Sequence, residues 1–378
     1  MKILIVTHST KFSGANKSLY SLILLFNKIG YDITVIVNSE KGELVSRLNK
    51  IGIRVLFYNY SWWVSQDRTN KMKKIYQFIH SISKYYFYRM KYNKISEDII
   101  GENFDLVYTN TSTIDLGVYV AKKMHIPHFW HIREFGKEDF NFTYLVTRKY
   151  REKAFEYSRL ICISNALKKK FEKIFPNKEI DVVYNGFEIT NFTKQDHSID
   201  INRNVNICIC GQVSIAKGQH LLIDAVSRLI SKGYHINLFL IGDVDYTYLK
   251  KYCEGFEQFP WLKIMGYINN VTNFRKKMDI EVVCSRSEAF GRVLLEAMLI
   301  GLPTIGTSKG AIGELIEDNE NGLIFNEDNY FELEKRIEDL ISDPLLYSKI
   351  SKNAHTFSKQ FTIEKTFNNI KAIFEQNI

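Results

Sequence analysis

No stretch of this sequence is long and apolar enough to cross a membrane. Runs such as 22–26 hold five apolar residues, against the ~18 that a spanning helix needs. Only four apolar residues, 3–6, follow Met1 and Lys2. That is too few for a secretory leader, so a cytoplasmic chain is expected. Cysteine is scarce and odd in number: Cys162, Cys208, Cys210, Cys253 and Cys284, with no CxxC pair. All but Cys253 lie in apolar, strand-like runs, which predicts buried, reduced thiols. Cys208 and Cys210 share a strand face, but two such residues do not make a metal site. The 5 prolines and 20 glycines leave little composition for long disordered linkers. No GxGxxG follows a strand-like run and no GxxxxGK[ST] occurs. This disfavours a dinucleotide dehydrogenase and a P-loop NTPase.

What is present is enough for two cores. A single core stops growing near ~250–300 residues, and this chain has 378, of which 45% are hydrophobic. The formal net charge of +9 is unevenly placed. Residues 1–190 carry 30 Lys+Arg against 18 Asp+Glu, and the remainder carries 21 against 24. A basic half joined to a near-neutral half suggests that the two meet different partners.

Short apolar runs alternate with amphipathic stretches. Residues 2–7, 32–37, 53–57, 105–109, 127–131, 159–164 and 181–184 read as strands, with helix candidates at 17–28, 113–123 and 165–175. A polar stretch at 190–204 reads as a linker. The pattern then restarts with strands at 205–210, 236–241, 262–266, 280–284 and 303–306, and helices from about Gln219, Gly291 and Tyr330. This order predicts an α/β fold of two doubly wound parallel sheets. Ligands of such sheets bind beyond the carboxyl ends of the strands, where this chain places its glycines and polar residues.

The most informative run is 285–303, Ser-Arg-Ser-Glu-Ala-Phe-Gly-Arg-Val-Leu-Leu-Glu-Ala-Met-Leu-Ile-Gly-Leu-Pro. It leaves a strand, turns through a Ser/Glu loop and enters a helix near Gly291. A helix N-terminus offers unpaired N–H groups and a positive dipole end, which suit a diphosphate. Glu288 before the helix and Glu296 inside it can accept hydrogen bonds from two separate sets of hydroxyls.

This run resembles the paired-glutamate motif of the family-4 retaining glycosyltransferases, through Glu288, Phe290, Gly291, Glu296, Ala297, Met298, Gly301 and Pro303. The resemblance implies a GT-B fold, with two Rossmann-like domains facing each other across a cleft. It implies an N-terminal acceptor-binding domain over 1–190, with a helix at about 358–378 returning to it, and a nucleotide-sugar domain over 191–357. In that family the first glutamate binds the donor sugar and the second the ribose, while amides after Phe-Gly hold the diphosphate. These roles carry onto Glu288, Glu296, Ala289, Phe290, Gly291, Arg292 and Val293. Gly211 and Lys217-Gly218 match a second family element in which the lysine holds the diphosphate. Gln212 stands where the family often has arginine, and Arg286 or Arg292 is the expected substitute. Base selection is expected near Gly242 and Tyr267. In the first half, Gly14 matches a glycine loop, and His131 a strand-end histidine that approaches the donor sugar. Asn110, Arg133 and Glu134 are acceptor-side candidates. Asn185-Gly186 matches a family pair with a turn or a ligand role.

Residues 67–94 hold Arg68, Lys71, Lys73, Lys74, Lys84, Arg89, Lys91 and Lys94 against one acid, Asp67. Met72, Ile75, Ile79, Ile82 and Tyr86 recur at helical spacing, near aromatic residues that include Trp62, Trp63 and the run 85–88. Such a helix fits an anionic membrane surface. It equally fits a helix whose apolar face packs on the sheet. No nucleic-acid motif accompanies the charge.

The expected enzyme is thus a hexosyltransferase-type glycosyltransferase. It would move a sugar from a UDP- or GDP-sugar to a hydroxyl of a glycan or lipid-linked oligosaccharide, with retention and with neither a cofactor nor an essential metal. Its expected setting is bacterial surface polysaccharide biosynthesis on the inner face of the cell membrane. The alternatives are a sugar-nucleotide epimerase of similar fold, or a non-catalytic membrane- or glycan-binding protein with a vestigial donor site.

Overall fold

The computed structural model of the protein describes residues 1–66, 71–195, 197–200 and 202–378, with the side chains of 71–74 left out. Asp67 and Arg68, and the side chains of Lys71, Met72, Lys73 and Lys74, therefore lie outside the described residues.

The chain forms two compact units, Met1–Phe187 with Thr362–Ile378, and Glu188–Phe361. In the first, β1 (Lys2–Val6), β2 (Asp32–Val37) and β3 (Arg54–Phe57) precede a short β4 (Val64–Gln66). They are followed by β5 (Leu106–Thr109), β6 (His128–Ile132), a short β7 (Phe142–Tyr144), β8 (Arg159–Cys162) and β9 (Ile180–Val182). Seven of these make a sheet in the order β3-β2-β1-β5-β6-β8-β9, and every pair in it is parallel. Helices cover both faces, so strands such as β1, Lys-Ile-Leu-Ile-Val, are apolar nearly throughout rather than alternating. One face packs with Leu19, Leu22 and Phe26 of the helix Gly14–Lys28, the other with Leu116, Val120 and Ala121 of the helix Leu116–Met124. The order reverses between β1 and β5, and this switch point is where such sheets open toward a ligand.

The C-terminal helix Ile363–Glu375 completes the first face. Thr362 caps it by accepting from the Lys365 amide at 3.0 Å. Its residues Ile363, Phe367, Ile370, Ile373 and Phe374 are buried, with Phe374 stacked on Phe26 at 5.7 Å. Burial of each such side chain stabilises by about 1.5–3 kcal/mol. The chain enters this helix past Gly186, where a Cβ would lie 2.1 Å from the carbonyl oxygen of Thr362. In the Asn-Gly pair, glycine therefore permits a backbone crossing.

The second unit repeats the plan with β10 (Val205–Cys210), β11 (Ile236–Ile241), β12 (Leu262–Gly266), β13 (Ile280–Val283), β14 (Thr304–Thr307) and β15 (Leu323–Phe325). The order β12-β11-β10-β13-β14-β15 is again all parallel, reversing between β10 and β13.

The basic stretch departs from simple periodicity. Its helix, Lys71–Arg89, does not turn Ile75, Ile79 and Tyr86 toward the sheet; they are 62%, 56% and 49% exposed. Its inward contacts centre on Asp115, which is fully buried. A buried carboxylate must find partners. Asp115 accepts from the hydroxyls of Tyr85 at 2.7 Å, Tyr92 at 3.1 Å and Tyr150 at 3.0 Å, with Arg89 at 3.4 Å. The helix is thus held by a polar knot rather than by its apolar stripe. The β4–β7 ribbon, antiparallel and three residues long, closes the loop before it.

Candidate active site

In the second unit the site is built where β10, β11 and β13 end. Gly211 and Gly242 both have φ of +139°, and a Cβ on Gly242 would lie 2.2 Å from the carbonyl oxygen of Gly211. Glycine is needed there because two backbones touch. The chain after Gly211 makes a short turn, Ile215–Lys217, that leans on the end of β13, where Arg286 N–H donates to the Ala216 carbonyl at 3.2 Å. Lys217 arrives beside the 285–291 loop, and its Nζ lies 2.6 Å from Glu288 Oε2. Both side chains are partly exposed, at 32% and 19%.

Gly310, at φ +62°, supports the Glu288 loop from below. The neighbouring Ala311 N–H donates to the Glu288 carbonyl at 2.8 Å. A Cβ at 310 would stand 2.6 Å and 2.9 Å from the Glu288 backbone oxygen and nitrogen. Gly310→Ala is therefore expected to displace Glu288. A misplacement of ~1 Å costs about a hundredfold in rate, so turnover should fall on that order while the far-UV circular dichroism is retained. An unchanged rate in the folded variant would show that the loop tolerates the shift.

The helix Arg292–Leu299 starts at Gly291, φ +85°, with no side-chain cap and no acidic residue in its first turn. Neither a capping side chain nor a first-turn carboxylate therefore offsets its positive end. Glu296 is oriented from behind by a buried network. Arg275 Nη1 lies 2.8 Å from Glu296 Oε2, and Arg292 Nη2 lies 3.3 Å from Oε1. Arg275, 1% exposed, also grips Glu281 of β13 with two bonds of 2.6 and 2.9 Å. Sequence reading missed Arg275 and Glu281. The available signal was a carboxylate inside the apolar strand Ile-Glu-Val-Val, which demands a counter-charge. Cys208, Cys210 and Glu281 bring two sulfurs and a carboxylate within 4.8 Å. Both carboxylate oxygens already face the guanidinium of Arg275, so Arg275 is the cation of that cluster.

The remaining residues expected on the donor side are spread around this centre. Ala289 and Phe290 are buried, and Val293 lends its carbonyl to Arg275 at 3.3 Å. Arg286 is paired with Asp328 at 2.9 Å. Gln212 is exposed and offers its carbonyl to Gln219, while Tyr267 is 69% exposed.

In the first unit, Arg133 gathers the predicted acceptor-side residues. Its Nε donates to the Asn110 carbonyl and Oδ1 at 3.1 and 2.9 Å, and its Nη1 to Asn185 Oδ1 at 2.5 Å. Its Nη2 lies 3.3 Å from His131 Nδ1, which also meets the hydroxyl of Tyr108. Arginine can only donate, so Nδ1 accepts and the ring proton sits on Nε2. Burial, with Arg133 adding, holds this imidazole neutral by pushing its pKa far below the usual value. Nε2 is buried with no hydrogen-bond partner among the described residues, a costly state for a donor. Glu134 is buried too, accepting from the Ser112 amide and hydroxyl at 2.6 and 2.7 Å. Burial, reinforced by Asp139, pushes its carboxyl up to about 7. Gly14 opens the first helix of this unit and is exposed.

Two Rossmann-like parallel-sheet units define a GT-B glycosyltransferase fold. Solved structures agree: HepE of Anabaena, solved in complex with UDP, matches over the whole of both chains at TM-score 0.77 and 21% identity. The lipopolysaccharide outer core galactosyltransferase WaaB does so at 0.71 and 16%. The chain belongs to the group 1, family-4 glycosyltransferases: Glycosyltransferase Family 4 matches residues 12–191, and Glycosyl transferases group 1 matches 191–357. An uncharacterized glycosyltransferase of Methanocaldococcus jannaschii is 27% identical over 88% of this chain and 92% of its own. The capsular polysaccharide biosynthesis glycosyltransferase CapM of Staphylococcus aureus is 25% identical over 54% of this chain and 59% of its own.

Proposed function

We propose that this glycosyltransferase moves a sugar, with retention, from a UDP-sugar to a hydroxyl of a glycan or lipid-linked acceptor in surface polysaccharide synthesis at the inner face of the cell membrane. The observation that carries the reading is the Lys217–Glu288 pair at 2.6 Å beside the uncapped start of the helix Arg292–Leu299. A diphosphate at that helix end takes the first-turn amides and draws Lys217 from Glu288. Glu288 is then free to accept hydrogen bonds from the sugar hydroxyls, and Glu296 those of the ribose. Charge developing on the leaving diphosphate is met by the amides and the ammonium, so no metal is required for that step. The acceptor approaches on the leaving-group side, where a phosphate oxygen takes its proton. The UDP complex of HepE and the polysaccharide role named for CapM support uridine and this pathway class.

The test is thermal unfolding with UDP, GDP, ADP and CDP in turn. A ligand of the native state raises stability with the logarithm of its concentration. A shift with UDP that is lost in Glu296→Ala, with turnover reduced in Lys217→Ala, is the expected result. A shift with GDP alone would reassign the base. Wild-type binding and rates in both variants would remove the site, and an epimerised sugar nucleotide with no transferred product would replace transferase by epimerase.

A further inference from the structure

We propose that the helix Lys71–Arg89 seats the protein on an anionic lipid surface through a fixed, outward-facing apolar stripe. Six large apolar residues on and just after it are exposed: Ile75 62%, Tyr76 74%, Ile79 56%, Tyr86 49%, Phe87 54% and Met90 75%. At about 100° per residue their positions fall within an arc of about 120°. They line one side of the helix, with the exposed Ser83 between its two groups, and exposed apolar surface gathered on one side in this way marks an interaction site.

The stripe cannot be satisfied by rolling the helix inward. Its opposite face is held by the Tyr85 hydroxyl and by Arg89, both on the buried Asp115. Arg89 also lies 5.0 Å from the centre of the Tyr119 ring and 4.7 Å from that of Tyr150. The helix is therefore fixed from its inward side by Tyr85 and Arg89, and the apolar side is left to something outside this unit.

Charge identifies that something. The helix contains no aspartate or glutamate. Lys84 and Lys91 are exposed along one edge of the stripe, and Lys91 Nζ lies 4.9 Å from the centre of the Phe87 ring. The sequence adds Lys71, Lys73 and Lys74 at the helix start. Apolar and aromatic residues flanked by lysines, with no acid among them, match the boundary between acyl chains and anionic headgroups. No helix among the described residues is long and apolar enough to cross a membrane, so the contact is a surface one. It deepens the reading above by naming where a lipid-linked acceptor is met, and for that role it rests on that reading.

The test is co-sedimentation of the full chain with phosphatidylcholine vesicles, with and without phosphatidylglycerol, alongside light scattering and the UDP-induced thermal shift. Wild type should partition onto the phosphatidylglycerol vesicles at least about tenfold more strongly than onto phosphatidylcholine alone, and less as salt rises. Ile75→Glu with Ile79→Glu should lower that partition about tenfold, while keeping the wild-type circular dichroism and UDP shift. Both residues are exposed, so folding is spared. Equal vesicle binding by wild type and variant would overturn the assignment, as would no preference for phosphatidylglycerol. So would a wild-type dimer that becomes monomeric in the variant, since a second copy would then cover the stripe. A missing UDP shift with intact vesicle binding would sink the donor reading alone.

Discussion

Arg275→Met is expected to destabilise the second unit by about 3–5 kcal/mol and to abolish nucleotide binding. The first effect follows from burial. Arg275 and Glu281 are 1% and 0% exposed, and the guanidinium takes both carboxylate oxygens. Removing one partner of such a pair leaves an uncompensated charge in the core, which costs about 3–5 kcal/mol. The second effect follows from geometry, because the third bond of Arg275, 2.8 Å to Glu296, fixes the residue assigned to the ribose. Adding Glu281→Gln separates the two. Arg275→Met/Glu281→Gln removes the buried charge, so most of the stability should return, yet Glu296 still lacks its support and UDP affinity should remain low. Urea unfolding and calorimetric titration with UDP read the two effects. A single variant within about 1 kcal/mol of wild type would show that Glu281 is not held charged by Arg275. A double variant binding UDP like wild type would show that Glu296 needs no such support.

This network also shows where sequence reading stopped. The parallel strands were legible because strands buried on both faces write themselves as apolar runs. Lys217, Glu288 and Glu296 were singled out only through the resemblance of their runs to family motifs, and of these the structure brings Lys217 to Glu288 at 2.6 Å. Arg275 was not singled out, because nothing in residue spacing says that the short helix Val271–Arg275 aims a guanidinium at both β13 and the helix of Glu296. The stripe of Ile75, Ile79 and Tyr86 was legible as a helical face, but its direction was not. Helical period identifies which residues lie together, not which side faces in. The side was decided by Asp115, whose partners Tyr85, Tyr92 and Tyr150 come from 23 to 35 residues away. The β4–β7 ribbon, at three residues a strand, was too short for alternation to register.

The second large effect concerns Glu134 and pH. Its carboxyl is pushed from 4.5 up to about 7 in the folded chain, chiefly by burial and in spite of the two bonds from Ser112. Between those two values the folded state keeps a proton that the unfolded state has released. Stability from this group is therefore full below 4.5 and is lost as pH rises through about 7. At about 1.4 kcal/mol per pH unit, the whole loss is on the order of 3 kcal/mol. His8 and His128 act with the opposite sign. Burial lowers their pKa values to about 4 and about 3, so they withdraw stability as pH falls below 6.5. The wild-type profile alone mixes these trends, but its difference from Glu134→Gln cancels the histidines. Glutamine keeps an oxygen for the Ser112 amide and hydroxyl and cannot ionise. Urea unfolding at intervals from pH 5 to 8 should find the variant gaining on wild type by about 2.5 kcal/mol across that range. Two parallel profiles would mean that the Ser112 bonds hold Glu134 ionised throughout. The carboxyl would then be a fixed charge beside Arg133 rather than a group that exchanges its proton near neutral pH.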